Sequence, residues 1–328
     1  MERFGSLETK SQFSLLNNIN ERELLILCKK RGINIRGIKR KYDLMVLFIQ
    51  WYNNINYYTY SNKIHGYIVC EKGPRKHMED SYIIDHFGRL SIYGVFDGHG
   101  GNYISKRLCD FCKTELLPMI SYNKKLNNTN ISRGFINIDN KFYHLWKRNV
   151  FGTDGSTASF VIADKNILYF VNLGDSRTVL YYDNGIYHST RDHKPTRKDE
   201  LERINKTRYD VIVKDVGRIG GLLALSRSFG DFIYKIDDDD NYRPHDYAVS
   251  VLPEIDRIDI TPIKNSSIKT IISATDGLWD VFTNEEVFNF ILFNRKRGLN
   301  YKTILRNLVN VAYQRGSTDN ITIVLVEL

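Results

Sequence analysis

The sequence contains no hydrophobic run of the length that a membrane-spanning helix needs. About 20 consecutive apolar residues are required to cross the hydrocarbon core of a bilayer, and no segment approaches that length. The N-terminus also lacks the basic-then-apolar pattern of a secretory signal. These two absences argue against a membrane-embedded or secreted protein, so we expect an intracellular protein, cytoplasmic or nuclear.

Cysteine is scarce, with four residues in a chain of 328. This number fits a reducing compartment better than a disulfide framework. Cys109 and Cys112 have the spacing of half a zinc site, but only Cys28 and Cys70 remain to complete it, and no histidine has zinc-site spacing. Two buried cysteines on a helix are therefore the simpler interpretation.

Basic residues outnumber acidic ones, and the excess is unevenly distributed. Residues 1–63 contain eleven Lys and Arg against five Asp and Glu, and so carry +6 of the net charge of +9. Such asymmetry predicts that the two parts of the chain have different partners. The length is sufficient for one large domain with a substantial core and one small module.

Two short helices are predicted in the basic N-terminal part, over Asn20 to Arg31 and about Lys41 to Tyr52, joined by a basic turn. Residues 18–53 resemble the SAP motif, a small helix–loop–helix module that binds DNA. The resemblance implies that phosphates are neutralised by four residues, Arg36, Lys39, Arg40 and Lys41. The alternative is a solvated basic face that docks on a protein or packs on the main domain. We divide the chain into this module (1–53), a linker (54–62) and a main domain (63–328).

The main domain alternates between short apolar strands and a few amphipathic helices, without an internal repeat. Helical spacing of apolar residues predicts one helix from Ile104 that ends before Pro118, and a second from Phe135 to Trp146. The Asn-rich segment 121–130 between them is predicted to be a loop.

Acidic residues stand where several predicted strands begin or end. Asp97 and Asp276 each follow an apolar strand and precede a glycine. Asp319 stands at the start of the last strand, and Glu79 and Asp80 directly precede another. Carboxylates that converge on one edge repel one another unless cations lie between them, and oxygen ligands favour hard ions such as Mg²⁺ or Mn²⁺. The pattern predicts a two-metal acid cluster.

Each of these features also has a simpler interpretation. An Asp-Gly pair after a strand is commonly a tight turn, and His99 within it would then be a structural turn histidine. The acid pair Glu79 and Asp80, close to Arg75, would be an ordinary surface ion pair. What decides between the interpretations is whether the remaining motifs form one set.

Seven short motifs of the main domain do form a recognisable set. In order they are Arg-x-x-Met-Glu-Asp, Phe-Asp-Gly-His-Gly-Gly, Gly-Ser-Thr-Ala, Gly-Asp-Ser-Arg, Leu-Ala-Leu-Ser-Arg-Ser-Phe-Gly-Asp, Ala-Thr-Asp-Gly-Leu-Trp-Asp and Ser-Thr-Asp-Asn-Ile-Thr. This order resembles the metal-dependent Ser/Thr protein phosphatase family, type 2C, over residues 63–328. The resemblance implies an α+β fold of two packed antiparallel β-sheets flanked by helices, with metals at one edge between the sheets.

The same resemblance implies a metal site built on the strand-end acids. Asp97 would bridge two Mg²⁺ or Mn²⁺ ions, with the Gly98 carbonyl on one of them. Asp276 and Asp319 would hold the other ion. A water that bridges the two ions would be deprotonated, and the resulting hydroxide would attack phosphorus in line.

Further residues would complete the reaction. Glu79 and Asp80 would act through metal-bound waters, and Asp175 would contribute to a third, weaker metal site found in some members. Arg75 would clamp the substrate phosphate with its planar fork, and His99 would protonate the leaving Ser or Thr oxygen. The predicted function is metal-dependent hydrolysis of phosphoserine and phosphothreonine in phosphoproteins, by a monomer. The alternative is a nucleic-acid-associated regulatory protein with a phosphatase-like scaffold.

The chain departs from the family pattern in two places. Residues 200–209 lack the Ala-Gly-Gly that usually follows Glu-x-x-Arg-Ile, and Gly220 stands where the family commonly has Asn. That region is a variable flap near the substrate in the family, so substrate preference does not transfer. The metal-site acids are all present, which argues against an inactive pseudophosphatase.

Overall fold

The computed structural model describes residues 20–30, 41, 65–122, 126–183, 185–212, 217–266 and 269–328. Within the N-terminal module it contains helix α1 (Glu21–Lys30), which matches the first predicted helix. The side chain of Asn20 accepts a hydrogen bond from the backbone N–H of Glu23 at 2.9 Å and so caps this helix. Most of the second predicted helix lies outside the described residues, as do the linker and the three basic residues of the predicted turn, Arg36, Lys39 and Arg40.

Two five-stranded antiparallel sheets form the centre of the main domain. The first sheet contains, in spatial order, β1 (His65–Glu71), β15 (Ile321–Glu327), β14 (Lys269–Ala274), β8 (Arg177–Tyr182) and β9 (Gly185–Ser189). The second sheet contains β13 (Glu254–Asp259), β7 (Ile167–Leu173), β6 (Ala158–Asp164), β3 (Leu90–Phe96) and β2 (Ser81–Phe87). Every pairing between neighbouring strands in these sheets is antiparallel.

The two sheets pack face to face as a sandwich. Tyr93 and Val95 of the second sheet are fully buried in one apolar cluster with Leu180, Ile271 and Val324 of the first. Because successive strand residues point to opposite faces, the remaining apolar side chains of each sheet point outward and must be covered by helices.

Helices cover both outer faces. Those on the second sheet are α2 (Tyr103–Phe111), a π-helical turn (Cys112–Leu116), α3 (Leu117–Tyr122) and α4 (Asn128–Trp146). Those on the first sheet are α6 (Asp276–Trp279), α7 (Asn284–Lys296) and α8 (Tyr301–Gln314). The short helix α5 (Lys198–Ile204) lies outside these layers. The architecture confirms the α+β fold, and no helix among the described residues is long and apolar enough to cross a membrane.

Short strands of two residues each pair within the loops that border the sandwich. A three-stranded sheet is formed by β12 (Phe229–Gly230), β5 (Gly155–Ser156) and β4 (Gly98–His99). A separate hairpin pairs β10 (Val211–Ile212) with β11 (Arg218–Ile219).

Two helix predictions were wrong at their ends. The helix predicted to stop before Pro118 continues through the π-helical turn into α3, which contains Pro118. Proline has no backbone N–H to donate, and the π-helical turn, an irregularity in the hydrogen-bond pattern, directly precedes it. The helix predicted from Phe135 begins at Asn128 instead, because the side chain of Asn127 accepts a hydrogen bond from the N–H of Asn130 at 2.9 Å. The Asn-rich segment therefore contains a cap and a first helical turn.

Candidate active site

Strand ends bring the predicted acids to one end of the sandwich. Strand β3 ends directly before Asp97, β14 ends two residues before Asp276, and β15 begins two residues after Asp319. Because β14 and β15 are antiparallel, with Ala274 opposite Ile323, the end of one strand lies beside the start of the other. Asp175 lies in the connection between β7 and β8, which passes from one sheet to the other.

The acids lie within one another's electrostatic field. Burial raises the pKa of Asp97 well above its usual range, and the charges of Asp276 and Asp80 raise it further. Burial and then the charge of Asp175 likewise raise the pKa of Asp276. The pKa of Asp80 rises to about 7 through burial and the charge of Asp319, although hydrogen bonds from threonines oppose the shift. The carboxylates therefore repel one another, and a bound cation would relieve that repulsion.

Two cationic side chains already contact acids of this group. Nη2 of Arg75 lies 2.6 Å from Oδ2 of Asp319, and Nζ of Lys194 lies 2.6 Å from Oδ2 of Asp175. The Arg75 side chain is 54% exposed and Lys194 is 30% exposed, so Arg75 has the greater freedom to move. Lys194 was missed by the sequence reasoning because it lies in a polar segment without regular spacing.

The donor set fits a hard divalent cation in its chemistry. As the side chains stand, no three His, Cys, Asp or Glu groups in the described ranges are close enough to hold one ion. Two of the carboxylates are instead occupied by Arg75 and Lys194. All the acids offer oxygen ligands, which Mg²⁺ and Mn²⁺ select, and Asp80, Asp97 and Asp276 share an unfavourable buried negative charge.

Asn320 ties the segment that carries Glu79 and Asp80 to the start of β15. Its Oδ1 accepts a hydrogen bond from the N–H of Glu79 at 2.9 Å. Its Nδ2 donates to the carbonyls of Lys72 at 2.8 Å and His77 at 3.1 Å. Asn320 belongs to the last of the seven motifs, Ser-Thr-Asp-Asn-Ile-Thr, and had no predicted role. In the structure it positions the acidic segment.

The backbone of Asp97 is fixed on both sides. Its N–H donates to Oγ1 of Thr157 at 3.0 Å, and its carbonyl accepts from the N–H of Thr157 at 2.8 Å. At Gly98 a Cβ atom would lie 2.4 Å from the carbonyl oxygen of Glu79. Only glycine allows this approach, so Gly98 is needed for packing whatever its carbonyl binds.

His99 is paired with an acid to which the sequence reasoning gave no role. Its Nε2 lies 2.7 Å from Oδ2 of Asp231, which also accepts a hydrogen bond from the hydroxyl of Ser228 at 2.5 Å. Burial alone lowers the pKa of His99, but the charge and hydrogen bond of Asp231 outweigh it, so the pKa is raised. Asp175 and Glu79 raise it further, which places His99 in the field of the acid group.

A fully buried ion pair supports the loop that contains Asp231. Nζ of Lys235 lies 2.7 Å from Oδ2 of Asp139, and both side chains are 0% exposed. The other carboxylate oxygen of Asp139 accepts from the N–H of Gly230 at 2.8 Å, and Lys235 donates to the carbonyl of Ser228 at 2.8 Å. The buried pair thereby fixes two backbone groups of the segment from Ser228 to Asp231, the carbonyl of Ser228 and the N–H of Gly230.

Comparison with known proteins gives a consistent result. Residues 67–321 match the family model described as Protein phosphatase 2C. The chain is 34% identical over 260 residues to the Probable protein phosphatase 2C 7 of Oryza sativa subsp. japonica, covering 78% of this chain and 63% of that protein. It is 32% identical over 277 residues to Protein phosphatase 1B of Mus musculus, covering 78% of this chain and 68% of that protein.

A solved structure shows the same fold. The structure of a phosphatase from Toxoplasma gondii has a TM-score of 0.71 at 21% identity, covering 81% of this chain and 94% of that one. At this identity the likeness concerns the fold alone. This chain spans 63% of the length of the rice relative and 68% of the length of the mouse relative.

Proposed function

The chain belongs to the protein phosphatase 2C family, and we propose that it is a protein serine/threonine phosphatase that uses two divalent cations, Mn²⁺ or Mg²⁺. Its substrates would be phosphoserine and phosphothreonine in phosphoproteins. The observation that carries this proposal is the group of buried acids from several strand ends, with raised pKa values for Asp80, Asp97 and Asp276, beside a histidine that favours its protonated form.

The strand-end acids are the proposed metal-binding residues. Asp97, Asp276 and Asp319 would hold the cations with the carbonyl of Gly98, and Glu79 and Asp80 would assist through water. Bound divalent cations supply Lewis-acid stabilisation of the phosphoryl oxygens and lower the pKa of bound water.

Asp175 stands apart from the other acids because it is paired with Lys194 at 2.6 Å. We propose that a third cation binds at Asp175 only in competition with the Lys194 ammonium group. The role of Asp175 toward the two principal cations is therefore indirect.

His99 is the proposed general acid. A serine or threonine alkoxide is a poor leaving group, so proton donation to its oxygen in the transition state accelerates the reaction, typically by roughly 10²–10⁴. Asp231 accepts the hydrogen bond of the imidazole and favours its protonated form. With Nε2–H directed at Asp231, the imidazolium would donate the proton to the leaving oxygen from its other ring nitrogen, Nδ1.

Arg75 is the proposed phosphate-binding residue. Its exposed guanidinium contacts Asp319 and also donates through Nε to the carbonyl of Thr318 at 3.3 Å. A phosphate dianion would compete for this planar donor, because two parallel N–H groups match two phosphoryl oxygens. Rotation of an exposed side chain is sufficient for this exchange.

The proposal is tested by phosphate release from phosphothreonine peptides. We expect hydrolysis by the wild-type protein with Mn²⁺, and none with excess EDTA or in the Asp97→Ala variant with Mn²⁺. Equal rates in both proteins, or no hydrolysis by either, would refute it. The alternative of a nucleic-acid-associated regulatory protein depends on Arg36, Lys39 and Arg40, which the structure does not describe, and stays a prediction.

A further inference from the structure

A cavity of about 310 Å³ lies between the first sheet and its covering helices. Tyr181, Thr270 and Glu327 line it from the sheet, and they belong to the ends of β8, β14 and β15. These three strands lead at their other ends to the acid group of the active site. At about 3.3 Å per residue, the six residues from Thr270 to Asp276 place the cavity roughly 20 Å from that site.

Part of the cavity wall is apolar. Phe288, Ile291 and Leu292 of α7 line it, and the ring of Phe288 stacks on that of Tyr181 with 5.4 Å between centroids. Small-molecule sites are typically clefts of about 300–1,000 Å³ with apolar walls and a few polar groups that fix orientation. The volume of this cavity lies at the lower end of that range, and its lining likewise combines apolar side chains with a few polar groups.

One buried polar group in the lining has no hydrogen bond. Thr270 is 2% exposed, and its Oγ1 has no partner. The hydroxyl of Tyr301 interacts with Thr270, but outside the geometry of a hydrogen bond, and it donates to Oε1 of Glu327 at 3.3 Å. A buried hydroxyl without a partner is unfavourable, so the cavity offers an unused donor and acceptor to a ligand.

Two cations border the cavity. Arg295 and Lys296 line it from the last turn of α7. Neither forms an ion pair with an acid among the described residues, and Nη1 of Arg295 donates a hydrogen bond to the carbonyl of Leu299 at 3.3 Å. The guanidinium of Arg295 lies 4.4 Å from the ring centroid of Tyr301. Cations in the last turn of a helix also interact favourably with the helix dipole. Glu327 is the one acid in the lining, so the lining carries a net positive charge.

We propose that this cavity is a binding site for a small molecule with an apolar, ring-sized body and one anionic group. The body would lie against Phe288 and Ile291, and the anionic group would contact Arg295 and Lys296. Thr270 would gain its missing hydrogen bond from a polar atom of the body. The site is distinct from the acid group, and the proposal does not depend on the phosphatase activity.

Fluorescence titration of the full chain with 8-anilinonaphthalene-1-sulfonate tests the proposal, because this probe combines an aromatic body with one sulfonate. We expect saturable binding of one probe per chain. Arg295→Glu should weaken binding by roughly tenfold or more. Arg306→Glu makes the same charge change at an exposed position of α8 that is not in the lining, and it should leave binding unchanged.

Two further experiments distinguish the anionic contact from purely apolar binding, and loss of the site from misfolding. N-phenyl-1-naphthylamine, which lacks the sulfonate, should bind wild type more weakly and should not distinguish wild type from Arg295→Glu. Ile291→Trp fills the cavity and should abolish saturable binding, with circular dichroism and thermal unfolding to confirm that each variant folds. Absence of saturable binding to wild type, or equal affinity of Arg295→Glu and Arg306→Glu, would overturn the proposal.

Discussion

Nε2 of His99 lies 2.7 Å from Oδ2 of Asp231, although 132 residues separate the two along the chain. Asp231 adopts a left-handed backbone conformation with φ of 51° and receives a second hydrogen bond from Ser228. The N–H of the preceding Gly230 is held by Asp139. The acid that raises the pKa of His99 is therefore itself fixed by buried groups.

Substitution of either member of this pair should remove most of the same rate contribution. We expect His99→Gln and Asp231→Asn each to lower kcat on a phosphothreonine peptide by roughly 10- to 1,000-fold, with KM little changed. Because the two residues act as a unit, the double variant should be scarcely slower than His99→Gln alone. Steady-state kinetics of the four proteins measures this coupling.

A substrate with a better leaving group is the control for this cycle. The phenolate of p-nitrophenyl phosphate departs without a proton, so both variants should hydrolyse this ester at close to the wild-type rate. Additive losses on the peptide, or equal losses on both substrates, would show that the pair has a different role.

Gly155 leaves the space that the His99–Asp231 pair occupies. A Cβ atom at this position would lie 2.2 Å from Nε2 of His99 and 2.3 Å from Oδ2 of Asp231. We expect Gly155→Ala to displace the pair and to lower kcat on phosphothreonine peptides by roughly as much as His99→Gln. At Gly152 a Cβ atom would meet nothing within 4 Å, so Gly152→Ala should keep wild-type kinetics. Similar kcat values for the two alanine variants would contradict this account.

Lys235 balances the buried charge of Asp139. Removal of one partner of a buried ion pair typically costs about 3–5 kcal/mol, so Lys235→Met should lower the free energy of unfolding by about that amount. Replacement of both charges, in Asp139→Asn/Lys235→Met, should recover much of the loss, because no unpaired charge remains and the amide oxygen can still accept from the N–H of Gly230. Urea denaturation measures these differences, and a double variant less stable than Lys235→Met would refute the explanation.

Glu200 should make stability depend on acid pH. Burial opposes its ionisation, but the hydrogen bond and charge of Arg227 and the charge of Arg203 outweigh burial and hold its pKa well below its usual range. A depressed pKa in the folded state gives stability that is present above the unfolded pKa of about 4.3 and is lost as pH falls below it. Wild type should therefore lose more unfolding free energy than Glu200→Gln between about pH 5 and pH 3. Denaturant titrations at several pH values measure this difference, and parallel curves would contradict it.

The convergence of the acids on one end of the sandwich could be predicted from sequence because they stand at or near strand ends. Asp97 follows β3 directly and Asp276 comes two residues after the end of β14, and the strand pattern alone places such residues at a sheet edge. The edge itself was predictable because antiparallel neighbours bring the end of one strand beside the start of the next.

The contacts of Asp231, Lys194 and Asp139 could not be predicted in the same way. Each of these residues meets its partner through a loop or helix whose path depends on the whole fold, and no periodicity marks them. Asn127 shows a related limit, since an Asn-rich run favours a loop and a helix cap equally. The structure therefore adds mainly the pairs between distant segments.

Calorimetric titration with Mn²⁺ tests most directly whether the strand-end acids bind the divalent cations used in hydrolysis. We predict two Mn²⁺ ions per chain for the wild-type protein, and loss of at least one of them in Asp97→Asn. Asp231→Asn removes the same charge beside His99 but outside the proposed ligands, and should bind Mn²⁺ as wild type does. Absence of Mn²⁺ binding to wild type, or unchanged binding to Asp97→Asn, would contradict the account.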